Sequence, residues 1–239
     1  MIAFAHQRMA RMKDSFENEL DASHPLVVDL PFMETEFSGF YRNYFKRAID
    51  VALVSLAALP ALAVVLIFAG MVALDGRNPF YTQIRVGKGG RRFRIWKLRS
   101  MVCDADAALS AYLAKNPEAA REWETKQKLK KDPRITWIGR CIRKSSIDEL
   151  PQLWNVLSGT MSLVGPRPFT AGQEILYTGK SYFKLRPGVT GPWQVSDRHN
   201  SAFSDRVWYD EDYHRKMSFK YDLTLIARTF KVVLRCTGV

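Results

Sequence analysis

Apolar and polar residues are unevenly distributed along the chain, and the largest departure from even mixing is an uncharged run from Val51 to Leu74. As one helix those 24 residues would reach about 36 Å, longer than the ~30 Å hydrocarbon core of a bilayer. No face of the run is polar, so a soluble core helix is the weaker reading and a membrane segment is predicted. Its flanks complicate a simple crossing. Arg42, Lys46 and Arg47 precede it, Arg77 and seven further Lys or Arg residues up to Arg99 follow, and no acid lies between Gly76 and Cys103. Positive charge favours the cytoplasmic side at both ends, which a straight span does not allow. Pro60, near the middle, removes a backbone hydrogen bond and offers a membrane break. A re-entrant hairpin that enters and leaves on one face reconciles these features, with Ser55 as the nearest polar side chain to satisfy the opened backbone. A kinked single span is the alternative.

Downstream the pattern shortens. Residues 78–101 alternate β-forming residues around Gly-Lys-Gly-Gly and predict a hairpin; the glycines lack the spacing and the terminal Lys-Ser/Thr of a phosphate loop. Residues 104–130 read as helical, with Asn116-Pro117-Glu118 marking a fresh start through a cap, a first-position proline and an early acid. Ile135, Ile138 and Ile142 recur at helical spacing, so a helix carries Arg140, Arg143 and Lys144 toward the segment that follows. Beyond Gly165, Pro and Gly punctuation interleaved with Trp193 predicts ordered loops. The tail from Asp222 to Arg235 is apolar on one side and basic on the other, which suits either a core helix or one lying on a membrane surface.

Composition narrows the partners. A formal charge of +12 over 239 residues calls for an anionic one: nucleic acid, an acidic membrane or a phosphorylated substrate. Cys103, Cys141 and Cys236 form no metal or disulfide pattern, and a reducing cytoplasmic setting fits them. Residues 1–40 lack the apolar core of an export signal and read as a partly disordered extension. The expected organisation is therefore extension 1–40, membrane element 41–76 and cytoplasmic domain 77–239. The oligomeric state, homo-oligomer or monomer, is not legible.

Two adjacent acids, Asp148 and Glu149, stand immediately after those basic residues and before Pro151. Neighbours on a helix point about 100° apart, so the pair does not face itself across a substrate as glycosidase carboxylates do. Ser145 and Ser146 with Glu149 form a capping-box pattern, which would make Glu149 a structural acid. Against this stand Arg143 and Arg167, whose planar forks suit phosphate oxygens, and Lys97 and Arg99 from the predicted hairpin. Acids beside phosphate-binding cations also suit a hard divalent ion. A nucleic-acid-binding reading, or that of a scaffold without catalysis, leaves the acid pair without a task.

The segments "KLRSM" (97–101), "DPRIT" (132–136), "IRKSSIDELPQLWNVLSGTMSLVGPRP" (142–168) and "RPGVTGPWQVSDRHN" (186–200) together resemble the bacterial sugar transferase family, the monotopic polyprenol-phosphate phosphoglycosyl transferases. Among these the chain is most similar to the hexose-1-phosphate transferases that start exopolysaccharide synthesis. The resemblance implies an α+β, mostly helical fold: a re-entrant membrane helix, a short β-hairpin and a compact catalytic domain at the cytoplasmic face of the bacterial inner membrane. It implies transfer of a hexose-1-phosphate, galactose or glucose, from a UDP-sugar to undecaprenyl phosphate with release of UMP. By analogy Asp148 is the nucleophile and Glu149 sits with Mg2+, so both acids are metal candidates. Arg143, Arg167 and Arg198 become phosphate contacts. Two departures from the family pattern stand out: Leu59, not Ser, precedes Pro60, and "SDRHN" replaces the usual Gly-Arg-Asn.

Overall fold

The computed structural model describes residues 39–126, 129–196 and 203–234. The extension predicted for residues 1–40 therefore lies almost wholly outside the described residues, as do Arg198 and Cys236.

A π-helical turn, Tyr41–Phe45, leads into α1, Lys46–Ala73, which contains Pro60. The helix is continuous through the proline, so the membrane break expected there does not appear as two separate limbs. Loss of one backbone donor removes a single rung, and the rungs on either side carry the helix on. Only 11% of its most apolar 18-residue window is buried, whereas the core helix of a soluble protein is mostly buried. Asp50, Val54, Val65, Ala69 and Val72 are the buried positions. At 100° per residue they fall within an arc of about 100°, one stripe along the helix. Leu56 and Leu59, off that stripe, are 81% and 80% exposed.

The stripe meets the rest of the molecule at both ends of α1. Val54 packs with Ile95, Val156 and Met161; Val65, Ala69 and Val72 pack with Leu98 and Ile142. Polar ties reinforce each end. Near the start, Lys46 Nζ lies 2.6 Å from Asp222 Oδ2, Arg47 donates to the carbonyls of Val156 and Leu157, and buried Asp50 accepts from Ser162 Oγ at 2.6 Å. Near the end, Arg99 donates to Val72 O at 3.3 Å and to Asp75 Oδ1 at 2.7 Å.

The expected hairpin is formed by β1, Phe80–Val86, and β2, Arg92–Leu98, paired antiparallel from Phe80↔Leu98 to Val86↔Arg92. Its tip carries Gly89 and Gly90 at φ +67° and +75°, a turn conformation that glycine adopts without steric cost. Helices α2, Ala105–Lys115, and α3, Pro117–Lys126, divide at Asn116 as predicted. The Asn116 side chain, however, donates back to Tyr112 O at 2.9 Å and closes α2 rather than opening α3. Helix α4, Trp137–Lys144, starts two residues after Ile135, because Thr136 caps it by accepting from Gly139 N at 2.9 Å. Ile135 instead bridges to Met101.

After α5, Gln152–Leu157, the chain forms a parallel pair that the loop reading of this region did not foresee: β3, Ser162–Val164, with β4, Gly188–Thr190. A Cβ on Gly188 would fall 2.1 Å from Gly165 N, so the two backbones meet only because both positions lack side chains. Short helices α6, Ser181–Lys184, and α7, Pro192–Val195, frame this pair. Helices α8, Asp205–Lys216, and α9, Phe219–Leu234, complete the domain. The tail helix belongs in part to the core, where Leu225 packs with Tyr213 and Met217, while Leu223 and Phe230 are 49% and 65% exposed.

Candidate active site

Helix α4 ends just before the acid pair. Ser145 Oγ donates to the carbonyls of Cys141 and Ile142 and closes that helix. Ser146 then turns the chain at φ +55°, a left-handed conformation that a β-carbon disfavours. A single 3-10 turn, Ile147–Glu149, follows, and Pro151 opens α5. The capping box is not formed. No side chain caps the turn, and Glu149 faces Lys97, its Oε1 accepting from Nζ at 2.8 Å.

Lys97 links the two acids. Its ammonium is also 3.7 Å from Asp148 Oδ2, and Arg167 adds a second cation 3.2 Å from Glu149 Oε1. Asp148 is largely shielded from solvent, and that burial pushes its carboxyl above the usual range against the pull of Lys97; the neighbouring charge of Glu149 pushes the same way. Arg143 faces the pair from the end of α4. It is fixed by donation from Nε to Ser100 Oγ at 2.8 Å, and its burial lowers its pKa while Asp148 opposes that shift. Ser100 owes its position to α4: a Cβ on Gly139 would fall 1.9 Å from Ser100 O.

Four of the seven predicted site residues thus gather around Asp148: Glu149, Lys97, Arg143 and Arg167. Arg99 does not join them. It lies past the end of β2, where its guanidinium holds the end of α1 through Val72, Asp75 and Asn78. Arg198 lies outside the described residues.

Beside Glu149 and Lys97 opens a cleft of about 240 Å³, lined also by Arg85, Gln152, Arg167 and Gly188. Arg85 was not singled out from the sequence, although the register supplies the signal. Arg85↔Phe93, Gln83↔Ile95 and Tyr81↔Lys97 are paired, so Arg85 and Lys97 share one face of the hairpin. Arg206, on α8, was also missed and carries no local signal. It stacks on Trp193, 4.2 Å from the ring centre, the same ring that Arg167 approaches at 5.9 Å.

The donor set suits a hard divalent ion in one respect. Two adjacent carboxylates plus substrate phosphates are a common way to hold Mg2+, and the Lys97 ammonium between them shows that this spot attracts a cation. Among the described residues no third His, Cys, Asp or Glu joins the pair, so the remaining ligands would be phosphate oxygens and water.

A family model of bacterial sugar transferases matches residues 41–236. The chain is 46% identical to the UDP-galactose-lipid carrier transferase of Erwinia amylovora over 203 residues, covering 84% of this chain and 42% of that protein. It is 41% identical to the undecaprenyl-phosphate galactose phosphotransferase of Salmonella typhimurium over 198 residues, covering 82% and 42% respectively. With the exopolysaccharide production protein ExoY of Rhizobium meliloti it shares 37% identity over 214 residues, covering 87% and 95%. The chain therefore spans less than half of the first two relatives and nearly all of the third.

Proposed function

Because the chain belongs to the bacterial sugar transferase family, we propose that it moves a hexose-1-phosphate from a UDP-sugar to undecaprenyl phosphate at the cytoplasmic face of the bacterial inner membrane, starting exopolysaccharide or other surface glycan synthesis. The observation that carries this reading is the half-buried Asp148-Glu149 pair held by Lys97 and Arg167 beside an arginine-lined cleft. The names of the Erwinia and Salmonella relatives supply the substrate classes, a UDP-hexose and undecaprenyl phosphate.

In the first step a carboxylate oxygen of Asp148 attacks the β-phosphorus of the UDP-sugar. The bond from that phosphorus to the bridging oxygen breaks, and UMP leaves with the electron pair. In the second step an oxygen of the lipid phosphate attacks the phosphosugar-aspartate, and the Asp148 carboxylate is the leaving group. Both steps bring anions together, and Lys97, Arg143 and Arg167 offset that repulsion. Burial favours attack once Asp148 is ionised, since a poorly solvated carboxylate is the stronger nucleophile. Held by Asp148 and Glu149, Mg2+ would add further charge compensation at the diphosphate.

The membrane arrangement belongs to the same reading: extension 1–40, a re-entrant element over 41–76 and a catalytic domain over 77–239. Attachment of both ends of α1 to one body supports re-entry, because a crossing helix would carry one end away. Pro60, 10 residues past Asp50 on the exposed middle of α1, is where such a helix would bend deepest in the lipid.

The test is UMP release from a panel of UDP-sugars by membranes containing the full chain and undecaprenyl phosphate. Asp148→Asn is expected to lower release by roughly four or more orders of magnitude and Glu149→Gln by about a hundredfold. Chelation of divalent ions is expected to stop the wild type. Full activity in Asp148→Asn would sink the covalent mechanism.

A further inference from the structure

Beyond the acid pair lies a second group of cations that the proposed mechanism does not use. Arg85 and Arg206 each bury their Nε, and neither atom finds a hydrogen-bond acceptor. Buried donors left unmade are costly, so two in one place point to a missing acceptor. What surrounds them sharpens this. Arg85 spends one terminal nitrogen on Gln83 Oε1 at 2.6 Å. Arg206 lies over Trp193 and Phe203, 4.2 and 4.7 Å from the ring centres. Arg167 approaches the same Trp193 ring at 5.9 Å. Among the described residues neither Arg85 nor Arg206 has a carboxylate within ion-pair distance. Asp210, one turn along α8 from Arg206, accepts from Tyr177 Oη at 2.8 Å.

Three guanidiniums close enough to disturb one another concentrate positive charge that an anion would offset. Burial lowers the pKa of Arg85, and the charge of Arg167 lowers it further. Burial and then Arg167 bring Arg206 down to about 10. The interactions also have an order. Asp148 senses Lys97, Glu149, Arg143 and Arg167, whereas Arg206 senses Arg167, Asp210 and Arg85. Arg167 is common to both groups and therefore stands between them.

We propose that Arg85 and Arg206 form a second phosphate subsite, and that a nucleoside diphosphate-sugar lies across Arg167 with its sugar-bearing phosphorus toward Asp148 and its nucleoside-bearing phosphate on Arg85 and Arg206. This rests on the transferase reading above and fixes the polarity of the donor in the cleft. The unpartnered Nε donors meet the phosphate that leaves, so they stabilise charge as it develops on UMP. The phosphate could instead be that of the lipid acceptor, which offers the same chemistry, and the kinetics separate the two.

Arg85→Gln and Arg206→Gln are assayed in the full-length membrane protein for kcat and for KM of each substrate, with calorimetric binding of UMP alone as an independent readout. Arg206→Lys is included in case loss of the stack on Trp193 prevents folding, which thermal melting reports. The subsite predicts a rise of about tenfold or more in the donor KM and in the UMP dissociation constant for either glutamine variant, with the KM for undecaprenyl phosphate unchanged. A rise confined to the acceptor KM would overturn the donor assignment, as would UMP binding that both variants retain in full. Wild-type protein that binds UMP through these arginines yet releases none from any UDP-sugar would support the subsite and refute the transferase reading.

Discussion

At the scale of single residues, Asp148 combines two opposed demands. Its folded pKa is raised by burial, so the proton is held more tightly in the folded chain than in the unfolded one. The stability this provides is present below the unfolded value near ~4 and is lost as pH rises through the folded value. At neutral pH the ionised carboxylate therefore destabilises the fold, and Asp148→Asn is expected to melt at a higher temperature than wild type while being inactive. The difference in melting temperature should vanish below about pH 4. Activity should follow the opposite limb, falling as acid protonates the nucleophile at a pH above the ordinary carboxylate range; a pH-rate profile of UMP release checks this. Ser146 pays the other local cost. At φ +55°, Ser146→Gly should be neutral or stabilising, and Ser146→Val should destabilise by about 1–2 kcal/mol, measured by denaturant unfolding. The sequence pointed to Asp148, Glu149, Lys97, Arg143 and Arg167 through charge and the family motifs. The capping box it offered for the serines as one alternative is not formed, because a capping box and a left-handed turn use the same residue types and only the backbone path distinguishes them.

At the scale of elements, the acid pair and Lys97 come from segments about 50 residues apart, and Asn155 is what aligns them. From α5 its Oδ1 accepts from Trp96 N at 3.1 Å, and its Nδ2 donates to Arg94 O at 2.7 Å. One side-chain amide thus satisfies the open edge of β2 on both sides of Ile95 and holds α5, which follows Glu149, against the strand that carries Lys97. Asn155→Leu leaves a donor and an acceptor buried, and is expected to cost about 2–4 kcal/mol in unfolding free energy and to lower kcat more than either KM. Hairpin, helix starts and the apolar run were legible from periodicity. The parallel β3–β4 pair was not, since strands of three residues leave no periodic trace and their pairing depends on Gly165 and Gly188 meeting across a long loop.

At the scale of the whole molecule, the membrane helix and the catalytic body share one core. Val54 belongs with Ile95 and Met161, and Val72 with Leu98 and Ile142, so α1 anchors the protein and also supports the floor of the site. Cysteines introduced at Asn43 and Asn78, flanking α1, are expected to react with a membrane-impermeant thiol reagent only from the cytoplasmic side in oriented vesicles. Labelling from opposite sides would refute re-entry and favour the kinked span. The same construction predicts that Ile142→Ala, a truncation on α4 rather than on α1, costs about 2–5 kcal/mol and loosens α1 as well as α4, seen as faster proteolysis after Arg77.

By itself the sequence determined that an apolar segment meets a membrane, that a strongly basic domain follows it, and that two acids stand among arginines. Each of these is written in local composition and spacing, which no fold has to supply. The tertiary structure decided which cations reach the acids. Arg99, two residues from Lys97, lies just beyond the end of β2 and is held by Val72 O and Asp75 at the end of the membrane helix. Arg85 reaches the cleft because strand pairing puts it on the face of Lys97, and Arg206 joins Arg167 because Trp193 gives both guanidiniums a surface to lie on. Such meetings depend on register and packing between distant segments, and linear spacing does not encode them.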